Sequence, residues 1–86
     1  MHDTFLNQNL YVSIVGLCNE HSIAKILNLT ITVHTHSHIS EQSIREYFTD
    51  RNNSLIGDWT NINVKHKEIE PLTATIDQID GEISDE

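Results

Sequence analysis

The sequence predicts a small α+β domain, in which a mixed β-sheet carries one helix on one face. The chain has 86 residues, a length that suits a single domain. Leu, Ile, Val and Phe make up 29% of it, above the roughly 20% below which disorder is typical, so we expect a packed core. Apolar–polar alternation over residues 24–36, then a helix signature, then a second alternating segment indicate a strand–helix–strand order.

The first part of the chain predicts a β-hairpin. Residues 1–9 contain turn and cap formers, and we expect a loosely ordered N-terminal segment there. Residues 10–16, LYVSIVG, are rich in β-branched side chains and end in glycine, which is typical of a strand. Residues 24–36 predict a longer strand with one apolar face, formed by Leu27, Leu29, Ile31 and Val33. The short polar connection between the two strands favours an antiparallel pair.

A helix and a third strand follow. Ser40 has the character of an N-cap, and the helix after it has an apolar stripe at i, i+3 and i+4, made of Ile44, Tyr47 and Phe48. Residues 59–69 predict a strand, and two strands joined through a helix usually lie parallel in a right-handed crossover. The predicted core consists of Leu10, Val12, Ile14, Leu29, Ile31, Val33, Ile44, Phe48, Ile62 and Val64.

Residues 71–86 are interpreted as an acidic amphipathic tail that follows a single α+β domain at residues 10–70. Apolar residues fall at i, i+4, i+7 and i+11, as on one face of a helix: Leu72, Ile76, Ile79 and Ile83. Thr73, Thr75 and Gly81 count against a helix, so a strand through residues 72–76 and a disordered tail are the alternatives. The polar face of the sheet is covered if this tail folds back or if a second copy packs there.

Charge is unevenly distributed along the chain. The net charge is −8, of which residues 1–67 carry −1, whereas residues 68–86 hold seven acids and no base. Because binding to nucleic acid or to an anionic membrane needs a basic face, the sequence argues against both. Without an apolar run long enough to cross a membrane or a signal-peptide layout, we expect a cytoplasmic protein. The single cysteine, Cys18, excludes an internal disulfide and suits a reducing compartment.

Three histidines at alternate positions, His34, His36 and His38, form the one cluster with metal-ligand character. On a continuous strand they would point the same way, about 6–7 Å apart, and imidazole is a common ligand of Zn, Cu and Ni. No fourth ligand follows at a set spacing, so an exposed polar strand face is the simpler interpretation, and we expect no cofactor. The sequence also lacks a glycine-rich phosphate loop and an oriented nucleophile, so we do not expect an enzyme.

These observations favour a non-catalytic protein that occupies a basic, nucleic-acid-binding surface of a partner, since displayed carboxylates can compete with phosphates. In size and charge the chain resembles the small phage and mobile-element proteins that inhibit restriction or CRISPR systems. The predicted partner-binding residues are Asp50, Asp58, Glu68, Glu70, Asp77, Asp80 and Glu82. The alternatives are a metal-binding or metal-sensing domain that uses the three histidines, and a structural subunit that forms a homodimer through its open sheet face.

Overall fold

The structure, a computed structural model, describes residues 3–84 and contains two helices and a three-stranded sheet. In chain order the elements are α1 (Asp3–Glu20), β1 (Ile23–His34), α2 (Glu41–Asp50), β2 (Asn61–Lys67) and β3 (Ala74–Ile83). The sheet is mixed, because β1 pairs with β2 in parallel and with β3 in antiparallel orientation. The predicted α+β class with a small mixed sheet is therefore confirmed.

The central strand β1, helix α2 and strand β2 form the strand–helix–strand unit that the sequence predicts. β1 is flanked by β2 on one side and β3 on the other, and β1 and β2 are joined through α2. The predicted cap is present, since the Ser40 hydroxyl accepts a hydrogen bond from the Ser43 backbone N–H and the Ser43 hydroxyl accepts one from the Ser40 N–H. Ile44 and Phe48 of α2 are buried as expected.

The predicted strand at residues 10–16 is wrong, because this segment lies in the middle of α1. α1 begins at Asp3, inside the segment that was expected to be loosely ordered. Its buried side chains recur every four residues, at Leu6, Leu10, Ile14 and Cys18, so they form one stripe against the sheet. Burial of this stripe outweighs the strand preference of the β-branched residues. Leu10 and Ile14 are in the core as predicted, whereas Val12 points away from it and is 61% exposed.

The predicted N-terminal hairpin is wrong as well, because the antiparallel partner of β1 comes from the other end of the chain. β3, Ala74–Ile83, takes up most of the segment interpreted as a tail; it begins two residues after the start of the alternative strand at residues 72–76 and continues well beyond its end. The register aligns Ile31 with Ile76 and Thr30 with Gln78, which leaves one extra residue in β3. This irregularity puts isoleucines three positions apart on the same side of the sheet, which explains why their spacing resembles that of a helix.

The core lies between the sheet and the two helices. Leu29, Ile31 and Val33 of β1 are each at most 1% exposed and face the helices. Phe48 of α2 is 2% exposed and makes an edge-to-face contact with the Tyr11 ring of α1, with ring centroids 4.8 Å apart. Because both helices pack on this one face, the opposite face of the sheet is left with the polar side chains of the three strands.

Candidate protein-binding surface

The face of the sheet that points away from the helices is polar across all three strands. Side chains alternate across β1, so the residues between the buried Leu29, Ile31 and Val33 point to this polar face. The strand register brings the polar residues of the three strands level with one another. This open face comprises Asn28, Thr30, Thr32 and His34 of β1, Asn61, Asn63, Lys65 and Lys67 of β2, and Thr75, Asp77, Gln78, Asp80 and Glu82 of β3.

Charge on the open face is sorted by strand. The basic residues Lys65 and Lys67 lie on β2, and the three acidic residues lie on β3 at the other edge: Asp77, Asp80 and Glu82. One further base, Lys25 near the start of β1, lies opposite Glu82 in the register. The polar residues of β1 lie between the two charged rows. A groove of about 360 Å³ crosses the uncharged middle and is lined by amides from all three strands, including Asn28, Asn63 and Gln78. The two edges of the sheet therefore present opposite charge to a binding partner.

Asp77 is held in place by two hydroxyl groups. Thr32 of β1 donates a hydrogen bond to one carboxylate oxygen, and Thr75 donates to the other at 3.0 Å. The bond from Thr32 lowers the pKa of Asp77, and the Thr75 bond and the charges of Lys65 and Lys67 act in the same direction against the desolvation of the group. Asp77 is thus a fixed negative charge at neutral pH.

The other two carboxylates on β3 are less constrained. Asp80 accepts a hydrogen bond of 2.6 Å from the Gln78 side-chain amide, and Glu82 lies opposite Lys25 in the register of β1 and β3. Both side chains are exposed. Within residues 3–84, none of the three β3 carboxylates forms an ion pair; the pair that the structure shows joins Arg45 and Glu41 on α2. These carboxylates remain available to a cationic partner.

The other predicted partner-binding residues lie elsewhere. Glu68 and Glu70 are exposed in the connection between β2 and β3. Asp50 is the last residue of α2, and Asp58 lies in the turn that precedes β2. The structure therefore gathers three of the seven predicted acids on one strand and distributes the remaining four over the connections and the end of a helix.

The histidine cluster does not lie on a continuous strand. β1 ends at His34, and His36 is in the turn that follows, where its backbone N–H donates a 3.1 Å hydrogen bond to Nδ1 of His34. The two rings lie 5.4 Å apart, centroid to centroid. Across the described residues no group of three or more His, Cys, Asp or Glu side chains has an arrangement that could hold a metal ion. Cys18 is buried in the core, and this burial raises the pKa of its thiol.

One feature that the sequence interpretation missed is an apolar groove between α1 and β3. The groove has a volume of about 160 Å³ and lies on the helix side of the β3 edge; its lining consists of Leu6, Asn9, Leu10, Ser13, Ala74 and Ile76. The four-residue spacing of the apolar residues in α1 is the sequence pattern that could have predicted the helix that forms one side of this groove. A second groove, near the end of β3, is lined by residues that include Ile23, Ile79 and Ile83.

Comparison with known proteins provides no relative from which a function could be transferred. No protein-family model matches the chain, no curated protein matches it, and no solved structure matches it. Among the described residues, neither helix combines the length and apolar character needed to cross a membrane.

Proposed function

We propose that this protein is a small, acidic, non-catalytic binding module that occupies a basic surface of a partner protein. The observation that carries the proposal is the row of exposed carboxylates on β3, Asp77, Asp80 and Glu82, which make no ion pair within residues 3–84. A charge row of this kind attracts a basic surface and speeds its association.

The position of the carboxylates on a paired strand favours a role in binding over a role in solubility alone. A charged tail loses conformational freedom when it binds, whereas carboxylates on a paired strand are already ordered. The hydroxyl of Thr32 adds to this effect, because it fixes the direction of the Asp77 carboxylate and favours its charged form. The backbone that carries the three carboxylates, and the Asp77 carboxylate itself, are thus preorganised for a cationic partner.

The spacing of the carboxylates bears on the class of partner. From residue 77 to residue 82 the strand advances about 17 Å, and duplex DNA presents about ten phosphates over that distance. Three carboxylates are therefore too sparse to imitate a duplex, but they suit a basic arm or groove that engages nucleic acid through a few Lys or Arg side chains. The nucleic-acid-binding proteins of restriction and CRISPR systems present such surfaces in the cytoplasm, and we place the partner in this class.

Capture from a nuclease-treated bacterial lysate tests the proposal. The wild type is compared with a β3 amide variant, Asp77→Asn/Asp80→Asn/Glu82→Gln, and with a control of equal charge change on the helices, Glu20→Gln/Glu41→Gln/Glu46→Gln. We expect a protein that binds the wild type and the control but not the β3 amide variant. After this protein is purified and loaded with nucleic acid, it should release the nucleic acid when the wild type is added. A partner that binds all three proteins equally, or none of them, would contradict the proposal.

A further inference from the structure

β3 is an edge strand whose outer side has no neighbour among the described strands. The sheet order places β2 and β3 at the two edges, and β3 is the longer of them, with ten residues against seven. An unpaired edge presents a row of backbone N–H and C=O groups that can hydrogen-bond to another extended chain. Lysines and bulges on an edge strand discourage such pairing. Lys65 and Lys67 lie on β2, whereas β3 has no lysine and one extra residue, Asp77, in its pairing with β1.

The two sides of the β3 edge differ in chemistry. On the open face lie the carboxylates of Asp77, Asp80 and Glu82, and on the helix side lies the apolar groove of about 160 Å³ that Ala74 and Ile76 help to line. A strand added along β3 would direct its side chains alternately to these two sides. The edge is therefore complementary to an extended segment with basic residues at one set of alternate positions and small apolar residues at the other.

We propose that β3 binds an extended segment of this alternating basic and apolar pattern from the partner, which adds to the sheet as a fourth strand. The inference rests on the proposed function and specifies how the acidic surface is used. Backbone hydrogen bonds supply affinity, and the alternate side chains supply selectivity. The carboxylates select a basic occupant, and the volume of the groove suits side chains of the size of valine.

Charge disfavours a second copy of this chain as the occupant. Two β3 strands that paired about a two-fold axis would bring Asp77, Asp80 and Glu82 of one copy close to the same residues of the other. The net charge of −8 on each copy also opposes self-association. The β2 strand of another copy does carry an alternating pattern, with Ile62 and Val64 on one side and Lys65 and Lys67 on the other. Whether it occupies the β3 edge is tested by the oligomeric state of the wild type and of a Lys65→Gln/Lys67→Gln variant.

The test uses a synthetic peptide, acetyl-KVKVKVK-amide, titrated into the isotopically labelled full chain and followed by NMR. Two further peptides carry N-methyl groups on the lysine or on the valine backbone nitrogens. Since alternate residues of a strand direct their N–H groups to opposite edges, one N-methylated peptide should bind like the parent and the other should lose at least about tenfold in affinity. Shifts should centre on the amides of residues 74–83.

The outcomes separate the two proposals. Equal binding of both N-methylated peptides, shifts centred on β2 or α2, or no binding at about 1 mM peptide would overturn strand addition. If both N-methylated peptides bind equally but the β3 amide variant does not bind, the acidic surface stands and only the strand mode fails. Undiminished peptide binding by the β3 amide variant would contradict the proposed function too. Wild-type oligomers in sedimentation that dissociate on Lys65→Gln/Lys67→Gln would assign the edge to a second copy and overturn the inference.

Discussion

Two glycine-to-alanine substitutions should change the stability of this protein in opposite directions. Gly16 lies in the interior of α1, and a Cβ atom added there would meet nothing within 4 Å. At Gly81 of β3, an added Cβ would lie within 3 Å of the Lys25 carbonyl oxygen and the Ile23 side chain on β1. The first change affects only the conformational preference of the chain, whereas the second forces two paired strands apart.

The magnitudes follow from these surroundings. Alanine is more favourable than glycine in a helix interior by about 0.5–1 kcal/mol, so Gly16→Ala should raise the free energy of unfolding by that amount. Overpacking of a closely packed site typically costs about 1–3 kcal/mol, and we expect a loss in this range for Gly81→Ala. For a domain of this size each kcal/mol corresponds to about 4–8 °C in Tm.

Urea and thermal unfolding followed by circular dichroism measure both effects under the same conditions. The expected result is a higher midpoint for Gly16→Ala and a lower one for Gly81→Ala, with the slope of the urea transition unchanged. A loss of stability in Gly16→Ala would contradict helix α1 and indicate a turn with a positive φ at residue 16. An unchanged midpoint in Gly81→Ala would contradict the close approach of β3 to β1.

Two further predictions concern the core and the open face. Phe48→Ala should lower the free energy of unfolding by about 3–5 kcal/mol, because Phe48 is 2% exposed. As a control, Phe5→Ala on α1 should change it little, because Phe5 is 77% exposed. Similar Tm values for the two variants would refute the placement of α2. The second prediction concerns acid stability. Because the pKa of Asp77 in the folded protein lies below its ordinary 3.8, its stabilising effect is fully present above about pH 4 and is lost as the pH falls through the lowered value. In thermal melts between about pH 2 and 6, the Tm of Asp77→Asn should therefore fall less on acidification than the Tm of the wild type. Equal falls in Tm for the two proteins would count against the role of the Thr32 hydrogen bond.

The parts of the fold that the sequence predicts correctly are those with a strong local pattern. The alternation of β1 and the Ser40 cap of α2 are visible within a dozen residues, and both are present in the structure. α1 is different, because its β-branched residues favour a strand while its four-residue apolar spacing favours a helix. Packing against β1 and Phe48 decides between them, and these contacts are distant in sequence.

β3 and its site could be predicted only in part. The concentration of acids after residue 67 is plain in the sequence, but their placement on an edge strand depends on pairing with β1. Because one extra residue lies between Ile76 and Ile79, the apolar spacing of the strand resembles that of a helix. The hydrogen bond from Thr32 to Asp77 joins residues 45 positions apart, so no local pattern predicts it. The histidine prediction assumed a strand that continued to His38, whereas β1 ends at His34.

The most direct test of the central claim is the affinity of the captured partner for two proteins, the wild type and the β3 amide variant, measured by calorimetry at low and at physiological salt. If the β3 carboxylates bind the partner, the amide variant should lose at least about tenfold in affinity, and the wild type should weaken more than the variant as salt increases. Equal affinity and equal salt dependence in the two proteins would contradict the claim and show that β3 is not the binding surface.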